Sequence, residues 1–380
     1  MLHSIVEKLI IKKGGVLMLT QLKIKGLTLE TCIIQGGMGM GISLHPLVQA
    51  VGHTGGLGVL SSVGLDCIVS TRKGKRIKTY EAVREEIELA QGGSKKPVGI
   101  NIMCALVRDY EQTVRAAIDA KVSAIISGAG LPMWLGTIKN IGDTARIPIV
   151  SSARALTLIC KRWEKHGNRP DAVVLEGPLA GGHLGFKYDD INKPEHRLEV
   201  LLPQVLDVAH KYGGFPVIVA GGIYSHMDIL SFLAQGASGV QMGTRFLATV
   251  ESSAPQEYKQ AVLNATKKDI TIVAPPHHPP ASPCGLPFRV LTTSPLYTTR
   301  RIPKCTRGYV LQPDADGKLT QCMARPDNPQ NDNFLCICAG LASSAGYAPQ
   351  EPPLWTVGSN AYRVQQVVPV AELMKELIGT

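Results

Sequence analysis

Short apolar runs alternate with longer amphipathic segments from about residue 20 to residue 250. Each run is rich in β-branched residues and carries Gly, Ser or Asn near its end. This pattern is typical of a parallel strand that is buried on both faces and leads into a loop. The predicted strands lie within eight runs, at 32–37, 57–62, 97–103, 122–130, 147–152, 171–177, 215–222 and 238–244.

Amphipathic helix patterns separate these runs, at 79–91, 110–120, 153–166, 198–212 and 227–236. Eight βα units in roughly 230 residues predict an α/β fold of the (β/α)8 TIM-barrel type, for which about 250 residues is typical. A doubly wound open sheet is the alternative, because periodicity cannot show whether a sheet closes. In a barrel the functional residues lie at the carboxyl ends of the strands.

The pattern changes outside the barrel segment, which we place at 20–266. Residues 1–19 form an N-terminal extension, and Met18 is an alternative start of translation. Residues 267–355 are rich in Pro and Cys and predict a loop-rich insertion subdomain, because proline lacks a backbone donor. Residues 356–380 end in an amphipathic helix that we expect to pack on the barrel.

Composition restricts the class of protein. Hydrophobic residues make up 44% and charged residues 18%, as in a globular enzyme. The net charge of +10 favours anionic partners, such as phosphates or an acidic carrier protein. The basic residues are dispersed and form no nucleic-acid motif, so we expect no nucleic-acid partner. The apolar runs are too short to span a membrane, and no secretory signal is visible, so we expect a cytoplasmic protein.

Glycines mark the ends of the last two strands. Gly221 and Gly222 follow the seventh run, and Gly243 and Thr244 follow the eighth. Free backbone N–H groups at such ends, together with a helix N-terminus, favour binding of a phosphate. The alternative is that these glycines relieve crowding where strands enter helices.

Two other strand ends carry candidates for contact with a planar heterocycle. Gly37 lets the backbone approach a ring closely, and Met38 adds a soft apolar contact. Asn101 offers both a donor and an acceptor, which suits the edge of a flavin. His183 follows the sixth run on a loop of sequence EGPLAGGHLG, where an imidazole can transfer a proton near neutral pH.

These motifs together resemble the nitronate monooxygenase (2-nitropropane dioxygenase) family and its relatives, the flavin-dependent enoyl-acyl carrier protein reductases. The resemblance runs through IIQGGMG, GGLGVL, GINIM, SGAGLP, EGPLAGGHLG, VIVAGGI and GVQMGTRFLAT in order. It implies an FMN-binding TIM barrel in which His183 is the catalytic residue. It also implies the cofactor-binding residues Gly37, Met38, Asn101, Ser152, Glu176, Gly181, Gly182, Gly221, Gly222, Gly243 and Thr244.

One residue departs from the family pattern. The family loop reads like EGxEAGGH, whereas Leu179 here occupies the second acidic position and Glu176 retains the first. The role of the missing carboxylate in orienting the histidine or shaping substrate access is therefore open.

The resemblance implies one of two activities. Oxidation of nitronates by FMN and oxygen, with His183 as the base for neutral nitroalkanes, is the leading prediction. Reduction of an enoyl thioester with NAD(P)H as electron donor is the alternative, with an acyl carrier protein as a possible partner for this basic chain. A third alternative is a flavin-binding protein without turnover. The flavin supplies the redox chemistry in both enzymes.

Five cysteines lie outside the barrel segment. They are Cys284 and a set of four with the spacing C-x16-C-x13-C-x-C, namely Cys305, Cys322, Cys336 and Cys338. The spacing matches no standard zinc or iron–sulfur signature. A zinc or iron–sulfur site, unligated thiols and disulfides all remain open, with disulfides disfavoured by a reducing cytosol.

Overall fold

The computed structural model describes residues 10–13, 16–93, 96–274, 277, 279–299, 312–313, 319–320, 322, 324 and 328–380. Its centre is a barrel of eight parallel strands, labelled β1 to β8 in chain order. Their bounds are β1 Ile33–Gln35, β2 Leu57–Ser61, β3 Val98–Met103, β4 Ala124–Gly128, β5 Ala145–Val150, β6 Val173–Glu176, β7 Val217–Ala220 and β8 Gly239–Met242.

The barrel closes between its last and first strands. Val240 of β8 is paired with Ile33 of β1, and Met242 is paired with Gln35, in a parallel register. Every other strand pairs with its neighbours in chain order, so the ladder runs through all eight strands and returns to β1. The predicted TIM barrel is confirmed, and the doubly wound open sheet is excluded.

Helices cover the outside of the barrel, as the amphipathic patterns predicted. Between β4 and β5 the described chain forms only the short 3-10 helix Trp134–Thr137. No helix in the described part of the chain is long and apolar enough to cross a membrane. The α-helices within the described residues are His45–His53, Leu65–Lys73, Thr79–Gln91, Val107–Asp119, Ala153–Glu164, Leu198–Lys211, His226–Ala234, Thr244–Leu247, Gln256–Asn264, Pro295–Thr299, Ile337–Ser344 and Val370–Ile378.

Segments before and after the barrel pack on it. A hairpin of Leu22–Ile24 and Leu27–Leu29 lies near the amino-terminal ends of β1 and β8, where Leu22 approaches Gly239. A second hairpin pairs Ile10–Lys13 with Val16–Leu19. The final helix, Val370–Ile378, contacts the helices His45–His53 and His226–Ala234.

The segment after residue 266 contains more regular structure than its proline content predicted. Strands Ile270–Val273 and Phe288–Leu291, labelled β9 and β10, form an antiparallel hairpin. Strand β10 also pairs with the two-residue strand Gly182–His183. A small apolar core of its own stabilises the described part of this segment; it contains Val273, Phe288, Val290, Leu296, Leu335, Ile337 and Leu354.

The close approach between β2 and the helix His45–His53 requires a glycine at position 58. A Cβ atom on Gly58 would lie 2.3 Å from the Val48 carbonyl oxygen and 2.6 Å from the Val48 Cα, which are backbone atoms. We therefore expect Gly58→Ala to lower the free energy of unfolding by about 2 kcal/mol or more, measured by urea denaturation.

The matched control is Gly26→Ala, because a Cβ atom on Gly26 meets nothing within 4 Å. This variant should remain within about 0.5 kcal/mol of the wild type. Equal effects of the two substitutions would contradict the packing account.

Candidate functional site

A cavity of about 250 Å³ opens at the carboxyl ends of the barrel strands. Its wall combines loops that are far apart in the sequence. Eleven of the twelve residues predicted for the catalytic and cofactor sites line it: Gly37, Met38, Asn101, Glu176, Gly181, Gly182, His183, Gly221, Gly222, Gly243 and Thr244.

Ser152 is the predicted site residue that lies outside the lining of this cavity among the described residues. It is the N-cap of the helix Ala153–Glu164, where its hydroxyl accepts a hydrogen bond from the Ala155 amide. A serine at a strand end that is followed by a helix satisfies an otherwise unpaired helix amide. The structure therefore gives Ser152 a capping role.

Two glycine loops border one end of the cavity. Gly221 and Gly222 adopt positive φ angles of 96° and 84°, a conformation that side chains disfavour. Gly243 precedes Thr244 at the start of the short helix Thr244–Leu247. The two loops lie side by side because β7 and β8 are neighbours in the barrel.

A segment that the sequence analysis did not include in the site, Thr356–Asn360, borders the same end of the cavity. The Gly358 amide donates to Thr244 Oγ1 at 2.9 Å. The Asn360 side-chain amide donates to the Gly222 carbonyl oxygen. These bonds join the C-terminal segment to both glycine loops.

Another part of the wall is formed by the ends of β1, β2 and β3. A Cβ atom on Gly37 would lie 2.6 Å from Asn101 Cβ and 2.7 Å from the Leu60 carbonyl oxygen. Glycine is therefore required where these strands approach one another. The Met38 amide is fixed by a 2.9 Å hydrogen bond to Ser43 Oγ.

Gln241 in β8 has a buried side-chain oxygen that makes no hydrogen bond within the described part of the chain. The residue lines the cavity, and its buried Oε1 atom has no hydrogen-bond partner among the described residues. An unsatisfied buried acceptor is costly, so such an atom beside a cavity is a candidate to accept a hydrogen bond from a ligand. The sequence signal for this residue is a polar side chain inside the apolar strand GVQMGT. Gln241 was not among the predicted site residues.

His183 is held by strand β10, which lies about a hundred residues further along the chain. Gly182 and His183 pair antiparallel with Arg289 and Phe288. The His183 ring packs edge-on against Phe288, with ring centroids 4.6 Å apart. The backbone and the ring of His183 are thus both fixed beside the cavity.

The loop before His183 is held by a buried cation. The Arg289 guanidinium donates to the carbonyl oxygens of Pro178 and Ala180. Burial lowers the pKa of Arg289 to about 10. Leu179, which stands where the family pattern has a carboxylate, projects from this loop with 48% of its surface exposed. Arg289 thus joins the glycine loop to the segment after residue 266.

Two further titratable groups flank His183. Burial raises the pKa of the Glu176 carboxyl to about 7, against the opposing effect of the His183 charge. Burial alone would raise the pKa of the Cys284 thiol as well. The His183 charge and hydrogen bonds from His183 and Ser282 outweigh burial and lower that pKa to about 7. The charge of His183 therefore lowers the pKa of both the Glu176 carboxyl and the Cys284 thiol relative to the effect of burial.

The predicted metal site is not tested by the structure. Cys305 lies outside the described residues. Cys322 and Cys336 are buried, and Cys338 is partly exposed. No cluster of three potential ligands from His, Cys, Asp or Glu occurs among the described residues. A zinc or iron–sulfur site at these cysteines stays a prediction.

Comparison with known proteins identifies the family of this chain. A sequence model of the nitronate monooxygenase family matches residues 90–379. A probable nitronate monooxygenase of Staphylococcus haemolyticus is 30% identical over 281 residues, which cover 66% of this chain and 73% of that protein.

Two other relatives extend the comparison. The (3aS,4S,5R,7aS)-5-hydroxy-7a-methyl-1-oxo-octahydro-1H-indene-4-carboxyl-CoA dehydrogenase of Rhodococcus jostii is 30% identical over 262 residues. The match covers 69% of this chain and less than two thirds, 62%, of that relative. The structure of FabK from Thermotoga maritima is similar with a TM-score of 0.66 and 25% identity, over 92% of both chains. The chain belongs to the nitronate monooxygenase family, a family of flavin-dependent oxidoreductases.

Proposed function

We propose that this protein is an FMN-dependent oxidoreductase that oxidises nitronates or nitroalkanes with oxygen. The observation that carries the proposal is the convergence of His183, Glu176 and two glycine loops on one cavity. The family membership and the relative named a probable nitronate monooxygenase support the same activity. A small substrate would bind in this cavity within reach of His183.

The residues at the end of the cavity fit the phosphate of FMN. The loops of Gly221–Gly222 and Gly243–Thr244 bring backbone N–H groups and a helix start to one place, which favours an anion. A Cβ atom on Gly222 would lie 2.8 Å from Leu179 Cβ, so a side chain there would push on the histidine loop.

The residues along the rest of the wall fit the flavin ring. Gly37 permits close approach, Met38 offers apolar contact, and the Asn101 amide offers a donor and an acceptor. Gln241 Oε1 supplies an acceptor that lacks a partner among the described residues. Bound FMN would supply the two-electron redox chemistry that amino-acid side chains lack.

The side chains of the chain itself would manage the proton. A neutral nitroalkane must lose its α-proton before it can be oxidised, and the His183 imidazole is placed to accept it. Glu176 is partly protonated near neutral pH, and the charge of His183 affects its pKa. When ionised, the carboxylate would stabilise the imidazolium. Phe288 packs on the ring and keeps water from that face.

A second candidate function is the NAD(P)H-dependent reduction of an enoyl thioester. It is favoured by the Rhodococcus relative, whose name describes a CoA thioester substrate. The exposed apolar Leu179 beside the cavity suits an acyl chain better than a small nitronate. The net charge of +10 is compatible with an acidic acyl carrier protein as partner.

The choice of electron donor separates the two functions. Oxygen uptake with a nitronate and no NAD(P)H supports the monooxygenase, whereas NADH or NADPH oxidation that depends on crotonyl-CoA supports the reductase. Turnover of neither substrate by the flavin-loaded protein would contradict both proposals.

Loss of the imidazole should affect neutral substrates most. We expect His183→Ala to lower kcat/KM for nitroethane by about 10²- to 10⁴-fold, because the general base is removed. Turnover of pre-formed ethyl nitronate should fall much less, since that anion has already lost its proton. Oxygen-uptake kinetics with both substrates measure the difference.

Exposed His53 provides the matched control for this experiment. The variant His53→Ala should behave as the wild type with both substrates. Equal losses with nitroethane and ethyl nitronate in His183→Ala would contradict the role of general base.

Removal of the Gln241 amide should weaken flavin binding without weakening the fold. We expect Gln241→Met to raise the Kd for FMN about tenfold, the equivalent of one hydrogen bond of about 1.4 kcal/mol, measured by fluorescence quenching. The unfolding midpoint of the flavin-free protein should stay equal or rise, because an unsatisfied buried oxygen is removed. An unchanged Kd would contradict the proposed contact.

The ionisation of Glu176 should make the stability of the flavin-free protein depend on pH. The carboxyl has an ordinary pKa of 4.5 in the unfolded chain and a pKa of about 7 in the fold. Between these values the fold retains a proton that the unfolded chain releases, so stability falls as pH rises through this window, by up to about 3 kcal/mol.

The variant Glu176→Gln should remove that part of the slope. Urea denaturation at pH 4.5 and pH 7.5 provides the measurement. Glu195→Gln, at an exposed position, is the control and should keep the wild-type slope. A wild-type slope in Glu176→Gln would show that the buried carboxyl ionises normally.

A further inference from the structure

We propose that the buried Arg289 cation is a positioning residue for an anion in the cavity, and that the phosphate of FMN supplies its counter-charge. This role rests on the proposed function, in which FMN binds at the two glycine loops. It gives the segment after residue 266 a part in cofactor binding. The barrel motifs alone do not predict this part, because Arg289 belongs to strand β10 outside the barrel.

Arg289 is a buried cation, and no ion pair joins it to a carboxylate in the described part of the chain. Its side chain is 4% exposed. Burial lowers its pKa to about 10, so the guanidinium stays charged near neutral pH. Removal of a charge from water is costly, and buried charges in proteins are as a rule paired with an opposite charge.

Two other buried cations of the described chain show what Arg289 lacks. Arg146 and Lys259 are each 6% exposed. The charge of Asp171 opposes the effect of burial on the pKa of Arg146, and the charge of Glu251 does so for Lys259. No carboxylate among the described residues opposes burial at Arg289. A bound anion would therefore supply what the protein itself does not.

The hydrogen bonds of Arg289 attach its charge to the glycine loop. The guanidinium donates to the carbonyl oxygens of Pro178 and Ala180. Leu179, the residue between them, is apolar and provides no carboxylate. Strand β10 holds the arginine in this place, because Arg289 pairs with Gly182 in the antiparallel ladder. The cation is therefore fixed on both sides of the loop backbone's apolar residue.

The peptide unit between Ala180 and Gly181 connects this cation to the cavity. In a trans peptide the C=O and N–H groups point in opposite directions. The Ala180 carbonyl oxygen accepts from Arg289, so the Gly181 N–H points away from the arginine. Gly181 lines the cavity, and its N–H donates no hydrogen bond within the described residues. The cation polarises this peptide and strengthens its N–H as a donor to an anion.

This part of the loop lies at the end of the cavity that fits the phosphate. A Cβ atom on Gly221 would lie 3.0 Å from the Ala180 amide nitrogen. A Cβ atom on Gly181 would lie 2.8 Å from the Gly358 amide nitrogen. The Gly358 amide in turn donates to Thr244 Oγ1. A phosphate held by the two glycine loops would therefore also meet the 180–181 peptide and the charge behind it.

The affinity for FMN relative to riboflavin measures this contribution, because riboflavin has the same ring system and lacks the phosphate. We expect Arg289→Gln to lower the preference for FMN at least about tenfold, since the amide keeps a donor but carries no charge. Arg289→Lys should retain most of the preference, because it keeps the charge. In both variants the Kd for riboflavin should stay within about threefold of the wild type. Fluorescence quenching of the flavin on addition of flavin-free protein gives these Kd values.

Arg146→Gln is the matched control, because it removes a buried cation near the start of β5, away from the carboxyl ends that form the cavity. It should keep the wild-type preference for FMN even where it lowers the free energy of unfolding. An unchanged preference in Arg289→Gln would overturn the proposed role. An equal loss of affinity for FMN and riboflavin would also overturn it, because the arginine would then act only by holding the loop.

Inorganic phosphate provides a second test that needs no neutral variant at position 289. We expect phosphate to raise the urea midpoint of the flavin-free wild type and of Arg289→Lys, relative to sodium chloride of equal ionic strength. Absence of this rise in the wild type would overturn the proposed role even where Arg289→Gln does not fold.

These measurements separate the role of Arg289 from the proposed reaction. If Arg289→Gln loses its preference for FMN and the wild type turns over neither nitroethane nor ethyl nitronate, the role stands and nitronate oxidation falls. If the preference is unchanged and the wild type oxidises ethyl nitronate, the role falls and the reaction stands. An unchanged preference with a raised KM for ethyl nitronate in Arg289→Gln would assign the anion to the substrate and overturn the assignment to phosphate.

Discussion

The parallel pairing of β8 with β1 is the constraint on which the rest of the structure depends. It joins Gly239–Met242 to Ile33–Gln35 and turns a row of strands into a closed barrel. Because all eight strands point the same way, closure gathers every carboxyl end around one mouth. Residues as distant as Gly37 and Gly243 then line a single cavity. An open sheet of the same strands would separate them.

The segment after residue 266 fixes the conformation of the loop that carries His183. A two-residue strand such as Gly182–His183 has little stability of its own, and its pairing with β10 fixes it. Arg289 holds the preceding turn by its carbonyl oxygens, and Phe288 fixes the imidazole ring. The loop in which Leu179 replaces a carboxylate is therefore ordered by hydrogen bonds from another segment. The missing acidic side chain is not needed for its conformation.

Electrostatics around His183 follow from burial. In a site of low dielectric, burial favours the neutral forms of Glu176 and Cys284. The His183 charge opposes this effect at both groups, and hydrogen bonds oppose it further at Cys284. The pKa values of Glu176 and Cys284 both lie at about 7, so either group can gain or lose a proton at little cost near neutral pH. This property suits a reaction whose first step is proton removal, and it is equally compatible with supplying a proton to a reduced thioester.

The sequence by itself determined the barrel and most of its cavity. Buried parallel strands require apolar runs, and their ends require glycine wherever backbones or ligands approach closely, as at Gly37 and Gly222. These needs are local, so they are visible in the chain. Only the tertiary structure showed that Ser152 caps a helix, that Gln241 holds a buried side-chain oxygen without a hydrogen-bond partner among the described residues, and that His183 pairs with strand β10. Each of these depends on which atoms lie opposite a side chain in space, and long-range pairing across about a hundred residues leaves no periodic trace in the sequence.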